Sequence, residues 1–352
     1  MIDDTRPRES PVISTNGSPQ LLPIDAIART RAPAKLNLFL ELVNRRDDGF
    51  HNIDTVMVPI DWCDQLQVTR SVDPGVRLSL DWLPSREIVA QRLQIENDPQ
   101  REASMLSIPT DKTNLVTRAL MRVAEVFELE TGFDCKLLKT IPAGAGMGGA
   151  SSDAASAIAC AAKLISVSPR HPALIEVAAE IGSDVPFFLG LGSEPMSAIR
   201  ATGRGENLAP VAMGGRLDFV VIYPSVSLST AKVYAASQVP ADPRNAADLV
   251  LSLANANHEA IEESMMNRLS HPARILAPQI DEIIESVWRA GCRTCQLTGS
   301  GSACFALVRS PVEARRLAKK LRASLRETAH PGGGAIVAAT RTTRVPAIVS
   351  IH

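Results

Sequence analysis

The sequence predicts an α+β protein, and three observations carry that expectation. A period-two alternation runs from Lys35, with Leu36, Leu38, Leu40 and Leu42 on one face, which is the pattern of a strand. A glycine- and serine-rich stretch, Pro142-Ala143-Gly144-Ala145-Gly146-Met147-Gly148-Gly149-Ala150-Ser151-Ser152, joins a short strand to an alanine-rich helical pattern. An apolar content of 45% over 352 residues, drawn largely from Ala, Val, Ile and Leu, is enough for a sizeable core of helix and sheet in one large domain or two ordinary ones. The formal net charge of −1 gives no global field for nucleic acid or an anionic membrane. No apolar run approaches a membrane span, and the N-terminal stretch has no apolar signal segment. Six cysteines show no disulfide-framework spacing, and Cys292 and Cys295 form a lone C-x-x-C without a second pair or a histidine cluster. Buried thiols in a reducing cytoplasm are expected.

Taken in order, residues 1–27 are polar and proline-bearing and read as a mobile extension, with order from Ala28. The other face of the first strand carries Lys35, Asn37, Phe39 and Glu41. Asn44 to His51 is a turn with Asp48-Gly49 at its tip, and Asn52 to Ile60 is the return strand of a hairpin. Leu66–Arg70 and Val76–Leu80 read as further short strands. Residues 83–108 are charged and broken by Pro84 and Pro99, and read as a surface insertion, helical at Glu87 to Leu93. Thr113-Asn114 caps a helix running to Phe127, and Cys135–Ile141 is a strand leading into the glycine stretch, with a helix over Ala154–Ile165 beyond it. A helix over Leu174–Ile181 stops at Gly182, Gly203 to Glu206 is a tight turn, and Leu217–Tyr223 is a buried strand ended by Pro224. Residues 243–290 are mainly helical. A second Gly/Ser loop, Thr298-Gly299-Ser300-Gly301-Ser302, lies between strands, a helix covers Val312–Arg326, and a last strand follows a turn at 331–334.

The chemistry centres on 142–152. Glycines let the backbone take positive φ and let a ligand approach the main chain, and a helix N-terminus behind them aims unpaired N–H groups and a positive dipole end at one spot. The natural guest is a phosphate. No Lys precedes the serines, so this is not a G-x-x-x-x-G-K-[ST] phosphate loop. The paired serines, and the lack of a following strand ending in an acidic residue, argue against a dinucleotide fingerprint. Ser151 and Ser152 can cap the helix and offer hydroxyls to phosphate or Mg²⁺. Asp184, between Gly182 and Val185-Pro186, is flanked by apolar residues, and a partly dehydrated carboxylate there is a better base than a surface one. Each signal alone has an ordinary structural explanation: Lys35 as a strand-end charge, Asp184 as a cap, Phe50-His51 as a turn with one buried ring, and 298–302 as a hairpin turn.

Together and in this order, P-A-K-L-N-L at 33–38, the glycine stretch, G-S-D-V-P-F-F at 182–188 and L-T-G-S-G-S at 297–302 resemble the motifs of the GHMP small-molecule kinases, over roughly Ala28 to Val308. Within that family, Pro33 to Leu40 followed by Asp48-Gly49-Phe50-His51 is similar to the branch acting on a cytidine-diphosphate-linked methylerythritol in the non-mevalonate route to isoprenoid precursors. The resemblance implies a two-domain α+β GHMP kinase fold with the active site in the interdomain cleft. The N-terminal domain would be 28–194 and the C-terminal domain 195–345. It implies ATP as donor, Mg²⁺, and the tertiary 2-hydroxyl of that small molecule as acceptor. By matching position, Lys35 and Asp184 are the catalytic pair, and Pro142, Ala143, Gly144, Ala145, Gly146, Met147, Gly148, Gly149, Ala150, Ser151 and Ser152 wrap the ATP phosphates. His51 reads the cytosine edge, Phe50 and Tyr234 complete a stack, and Thr230 helps close the base pocket. Asn37 contacts the substrate from the Lys35 side of its strand, and Lys139 lines the nucleotide-facing cleft. Ser151 is the one candidate metal ligand, since no Glu is evidently placed for that role.

Two departures stand out. Phe50 occupies a position where the family commonly has Tyr, which keeps the stack and loses a hydroxyl hydrogen bond. Ala150 replaces a frequent Gly. Two alternatives are another GHMP kinase, of the homoserine or mevalonate type, and a binding protein that keeps the fold without turnover.

Overall fold

In the computed structural model, residues 19–190, 195, 197–327 and 333–352 are described. The expected mobile extension lies outside the described residues up to 18. From Leu22 the chain is held: its N–H donates to Leu164 O at 2.9 Å, and Arg70 Nη1 donates to its carbonyl at 2.7 Å. Strand β1 (Ile27–Arg45) and strand β2 (His51–Ser71) form one long antiparallel hairpin. The two strands expected at 52–60 and 66–70 are therefore one, continuous through an irregularity opposite Pro33/Ala34. Both faces of β1 are buried. Lys35, Asn37, Phe39 and Glu41 are as enclosed as the leucines, because β1 lies between two packed layers rather than at a wet surface.

Strand β3 (Val76–Trp82) is followed by helices α1 (Arg86–Leu93) and α2 (Pro99–Leu106). These are not the surface insertion expected for 83–108. Val89, Ala90, Leu93, Ile95, Met105 and Leu106 are buried in the cluster between the two sheets, and the charges face outward. Helix α3 (Leu115–Val126) starts where Asn114 accepts from Val116 N–H at 2.8 Å. Strand β4 (Gly132–Lys139) leads into the glycine stretch, and helix α4 (Gly149–Leu164) follows it. This helix begins five residues earlier than its alanine run suggests. Gly148 is the N-cap, so Ser151 and Ser152 lie inside the first turn and cap nothing. Its alanines are almost all buried, which lets the helix lie close against β1 and β2. Helices α5 (Pro172–Ile181) and α6 (Val185–Leu189) flank Asp184.

Strands β5 (Ile199–Gly203) and β6 (Asn207–Pro210) form the hairpin around the Gly203–Glu206 turn. The expected boundary at 194 lies among residues outside the described ones, and the sheets do not divide there: β5 pairs with β2 and belongs to the first sheet. The second sheet begins with β7 (Asp218–Pro224). Helices α7 (Thr230–Ala235), α8 (Ala247–Ala254) and α9 (His258–Ser264) precede a two-residue strand β8 (Met266–Asn267), which pairs in parallel with Phe39 and Leu40 of β1. Helices α10 (Ser270–Leu276) and α11 (Gln279–Arg289), strands β9 (Gln296–Leu297) and β10 (Cys304–Val308), helix α12 (Pro311–Glu327) and strand β11 (Ala335–Arg341) complete that layer. Of the turn expected at 331–334, residues 331 and 332 lie outside the described residues. Strand β12 (Ser350–Ile351) returns to pair with Ala28 and Arg29.

The first sheet runs β12-β1-β2-β4-β3 with β5, β6 and β8 alongside, and the second runs β11-β7-β10-β9. Helices α3, α4 and α5 cover one face of the first sheet, and α11 and α12 cover the second. Between the sheets, Phe219 and Phe305 meet edge to face with ring centroids 5.7 Å apart. Among the described residues no helix is long and apolar enough to cross a membrane.

Candidate active site

A cavity of about 460 Å³ opens where the glycine stretch, the N-terminus of α4, β1, the α6 turn and α7 converge. The glycine stretch is fixed from every side. Asp64 accepts the backbone N–H groups of Thr140 and Ile141 at its start. The Tyr223 hydroxyl donates to Ala143 O at 3.1 Å, Ala303 N–H donates to Ala145 O at 3.1 Å, and Lys35 N–H donates to Met147 O at 2.9 Å. Gly146, at φ +76°, lies so close to the second Gly/Ser loop that a Cβ there would sit 2.2 Å from Thr298 O. The two loops therefore form one wall, and Gly299 and Ser300 line the cavity with the first loop. Pro142 through Ser151 line it. Ser152 does not: it is fully buried and its Oγ has no hydrogen-bond partner. Ser151 stands half-buried on the cavity side of the first turn of α4.

Lys35 and Asp184 are brought together. Lys35 Nζ lies 3.9 Å from Asp184 Oδ2, with the lysine buried and the carboxylate side chain 34% exposed toward the cavity. The dehydration expected at Asp184 is thus partial. Burial pulls the Lys35 ammonium below the ordinary lysine value, and Asp184 offsets part of that pull. Lys35 Nζ also donates to Asn37 Oδ1. Asn37 is oriented by its surroundings: its Nδ2 donates to Thr55 Oγ1 at 2.9 Å, and its backbone N–H donates to Thr298 Oγ1 at 3.1 Å. The Asn37 side chain is therefore an orienting partner of Lys35 as well as part of the cavity lining.

Lys139 reaches the cavity wall but is not a free cation there. It is buried, and its Nζ donates to Asp64 Oδ2 and, at 2.7 Å, to Asp153 Oδ2. Burial disfavours its charge, yet the two carboxylates hold its pKa above the ordinary value, so it stays an ammonium. Burial, with Asp64 beside it, drives Asp153 upward, and Lys139 opposes this in part. Lys139 thus lines the cavity as the cation of an ion triad behind the glycine stretch, because β4 ends there and points the side chain inward. The Asp153 Oδ1 atom is buried without a partner.

At the other end, His51 and Tyr234 approach with ring centroids 5.6 Å apart and planes at 39°. Burial pushes the Tyr234 hydroxyl up to about 12, and burial followed by the charge of Arg45 lowers His51. Tyr234 and Thr230 line the cavity, with the Thr230 and Ser300 hydroxyls 2.9 Å apart. Phe50 is not brought in: it is 58% exposed and lies under the guanidinium of Arg204, 5.1 Å from its ring centroid. Sequence reasoning missed Asp64, Asp153, Arg204 and the segment Ile108, Pro109, Thr113 and Asn114, all on or directly behind the cavity wall. Thr113-Asn114 is visible in the sequence only as a cap, and Arg204 only as the middle of a tight turn. Among the described residues no group of three or more His, Cys, Asp or Glu side chains could hold a metal ion.

The arrangement can cradle phosphates on backbone N–H groups beside a carboxylate–ammonium pair facing the same space. The pattern described as GHMP kinases N terminal domain matches residues 114–192, and GHMP kinases C terminal matches 247–327. The chain is similar to 4-diphosphocytidyl-2-C-methyl-D-erythritol kinase of Rhodopirellula baltica, with 46% identity over 331 residues, 92% of this chain and 97% of the relative. It is similar also to the protein of that name from Salinibacter ruber, at 33% identity over 83% of this chain and 93% of the relative. Among solved structures, a 4-(cytidine 5'-diphospho)-2C-methyl-D-erythritol kinase superposes with a TM-score of 0.66 at 30% identity, covering 90% of this chain and 99% of that one. A homoserine kinase from Cytophaga hutchinsonii superposes with a TM-score of 0.66 at 17% identity over 93% of this chain and 98% of that one, which is a likeness of fold alone. The chain belongs to the GHMP kinase family.

Proposed function

We propose that this protein transfers the γ-phosphoryl group of ATP to the 2-hydroxyl of 4-diphosphocytidyl-2-C-methyl-D-erythritol. The observation that carries the reading is the Lys35–Asp184 pair, 3.9 Å apart, facing the same cavity as a glycine loop and helix N-terminus. The 46% identity to a relative of that name supports the choice of acceptor. Asp184 accepts or orients the proton of the attacking hydroxyl. Lys35, steadied by Asn37, orients Asp184 and stabilises negative charge on the attacking oxygen and the transferring group. The backbone of 142–151 holds the phosphates. Tyr234, with the His51 ring packed against it just outside the cavity lining, would receive the base.

Mg²⁺ fits as a nucleotide-borne ion. Ser151 is the protein hydroxyl at the phosphate end, the described residues offer no all-protein cage, and Mg²⁺ is ordinarily held by phosphates, waters and one or two side chains. Bound there, it would neutralise charge on the transferring phosphates. The six free thiols support a reducing, cytoplasmic setting.

The test is ADP release by the purified protein with Mg·ATP and, in parallel, the cytidylyl substrate, homoserine or mevalonate. Release with the first alone is expected. Release only with another acceptor would keep the family and discard the base pocket, and release with none would favour a binding protein. A pH profile tests Lys35. Its ammonium is present below its pKa and lost above it, and burial lowers that pKa from the ordinary 10.5. kcat is therefore expected to fall along an alkaline limb below 10.5. Lys35→Met should lose that limb along with most of the rate. A limb that persists unchanged in Lys35→Met would assign it to another group.

A further inference from the structure

A second recess, a groove of about 1000 Å³, shares no lining residue with the active-site cavity. Its origin is the irregularity between β1 and β2 at Pro33/Ala34. Ala28 and Ala32 pack beneath the helices, whereas Ala34, Leu36 and Leu38 pack between the sheets, so alternate side chains of β1 exchange faces there. Lys35 and Asn37 consequently line the active-site cavity, while Arg29 and Arg31, two steps of the same alternation earlier, line the groove on the other face. Arg29, Gln67 and Lys136 form one row across β1, β2 and β4, and Arg31, Gln65 and Leu138 form the next. Strand spacing and rise put the Cα atoms of the three cations about 7–12 Å apart, within the joint reach of their side chains. The segment 343–350 forms the opposite wall. Thr343 N–H donates to Pro59 O at 2.9 Å and Thr30 Oγ1 donates to Ile348 O at 2.8 Å, so the segment is tied at both ends and holds Arg344 and the exposed Ile348 on the rim.

Four cations line this groove against one acid among the described residues. Arg29, Arg31, Lys136 and Arg344 form no ion pair within 4 Å among those residues. Arg29 Nε donates to the neutral Gln67 at 3.2 Å. Arg31 donates to the Cys63 thiol, which burial pushes up to about 11 and so keeps uncharged. The acid, Asp61, accepts the Arg341 backbone N–H at 3.0 Å and pairs with Arg341 Nε at 3.4 Å. We infer that this groove is a second binding site, for the diphosphate group of a small molecule, with Arg29, Arg31, Lys136 and Arg344 as its cationic contacts. Guanidinium forks match phosphate oxygens in bidentate geometry, and cations spread over β1, β4 and the C-terminal segment suit two linked phosphates better than one. Leu138, Pro346 and Ile348 give the groove an apolar side as well, so the diphosphate can be inorganic or carry an alkyl group. The inference goes beyond the proposed function and does not depend on it.

The experiment is calorimetric titration of the full chain with its glycine loop filled by Mg·AMPPNP, using inorganic pyrophosphate, orthophosphate and a short alkyl diphosphate as probes. Charge-assisted contacts of this kind carry about 10- to 100-fold in affinity. Pyrophosphate should bind at a single site, with orthophosphate weaker by about tenfold or more. Arg31→Gln combined with Arg344→Gln should weaken pyrophosphate by about 10- to 100-fold, whereas Lys319→Gln, an exposed change on α12, should leave it as in wild type. AMPPNP affinity and melting temperature should be unchanged in all of these surface variants, which separates lost binding from lost fold. An alkyl diphosphate that binds more tightly than pyrophosphate identifies an organic source, and equal or weaker binding an inorganic one. Absence of pyrophosphate binding with the loop filled, equal weakening by Lys319→Gln, or tighter binding of a mixed-sequence oligonucleotide than of pyrophosphate would each overturn the site.

Discussion

Asp184→Asn is expected to lower kcat by about 10²- to 10⁴-fold, the usual contribution of a positioned general base. The substitution keeps size and shape and removes the proton acceptor. It does not touch the backbone N–H groups of 142–151, so the affinity for ATP should stay within a few-fold of wild type by calorimetry. A second signature separates this role from a merely structural one. Asp184 is the group that partly offsets the burial of the Lys35 ammonium, so its removal should shift the alkaline limb of the residual activity to still lower pH. A variant with near-normal kcat would remove Asp184 from the chemistry. A variant that loses ATP binding to the same extent as turnover would make it part of the nucleotide site instead.

Lys139→Met is expected to produce the largest loss of stability, about 3–5 kcal/mol, because it leaves two buried carboxylates facing one another without their shared cation. Asp64 is fully buried and Asp153 nearly so. Asp64 also accepts the N–H groups of Thr140 and Ile141, so the damage should reach the start of the glycine loop and weaken ATP binding as well. The sign with pH follows from the charges. As pH falls, Asp153, which burial already drives upward, takes up a proton and the repulsion disappears, so the deficit in urea midpoint relative to wild type should shrink toward acid. Adding Asp64→Asn and Asp153→Asn to Lys139→Met should recover much of the loss, since a neutral trio lacks the uncompensated charge. A Lys139→Met midpoint equal to that of wild type would show that the triad contributes nothing to the fold.

What the sequence made legible follows physical range. The glycine loop, the turn at 203–206 and the caps at Asn114 and Gly182 are local, written in residues whose backbone preferences act within a few positions. The pairing of Lys35 with Asp184 was reached through motif order rather than spacing, since the two lie on a strand and a turn with most of the first sheet between them. Lys139 was read as cleft-lining because its neighbours are, whereas Asp64 and Asp153, which capture it, lie on other elements and carry no local signature. Residues 83–108 looked like an appendage because the charges of α1 and α2 dilute the apolar pattern; Leu93, Ile95 and Met105 are apolar enough to fill the space between sheets, but only the tertiary arrangement shows that space exists. Phe50 was read as a base stack because an aromatic beside a histidine suits one, whereas its exposed ring meets the guanidinium of Arg204, a residue far along the chain with no local signature for that contact.

The way β1 collects its partners has a consequence for how the chain reaches this state. This single strand pairs with β2 a short turn away, with Met266 and Asn267, and with Ser350 and Ile351, while Glu41 near its C-terminal end is paired with Arg268, 227 positions on. Loop closure over such separations is slow compared with local hairpin formation. During synthesis, the strand carrying Lys35 must therefore wait, with one edge open and Glu41 unpaired, until the later helices have emerged. An open edge is a template for pairing with other chains. A fragment cut around residue 195 would retain the whole glycine loop and most of the first sheet, yet it should be the aggregation-prone half: the covering that makes β1 interior is supplied by residues from the other side of the cut.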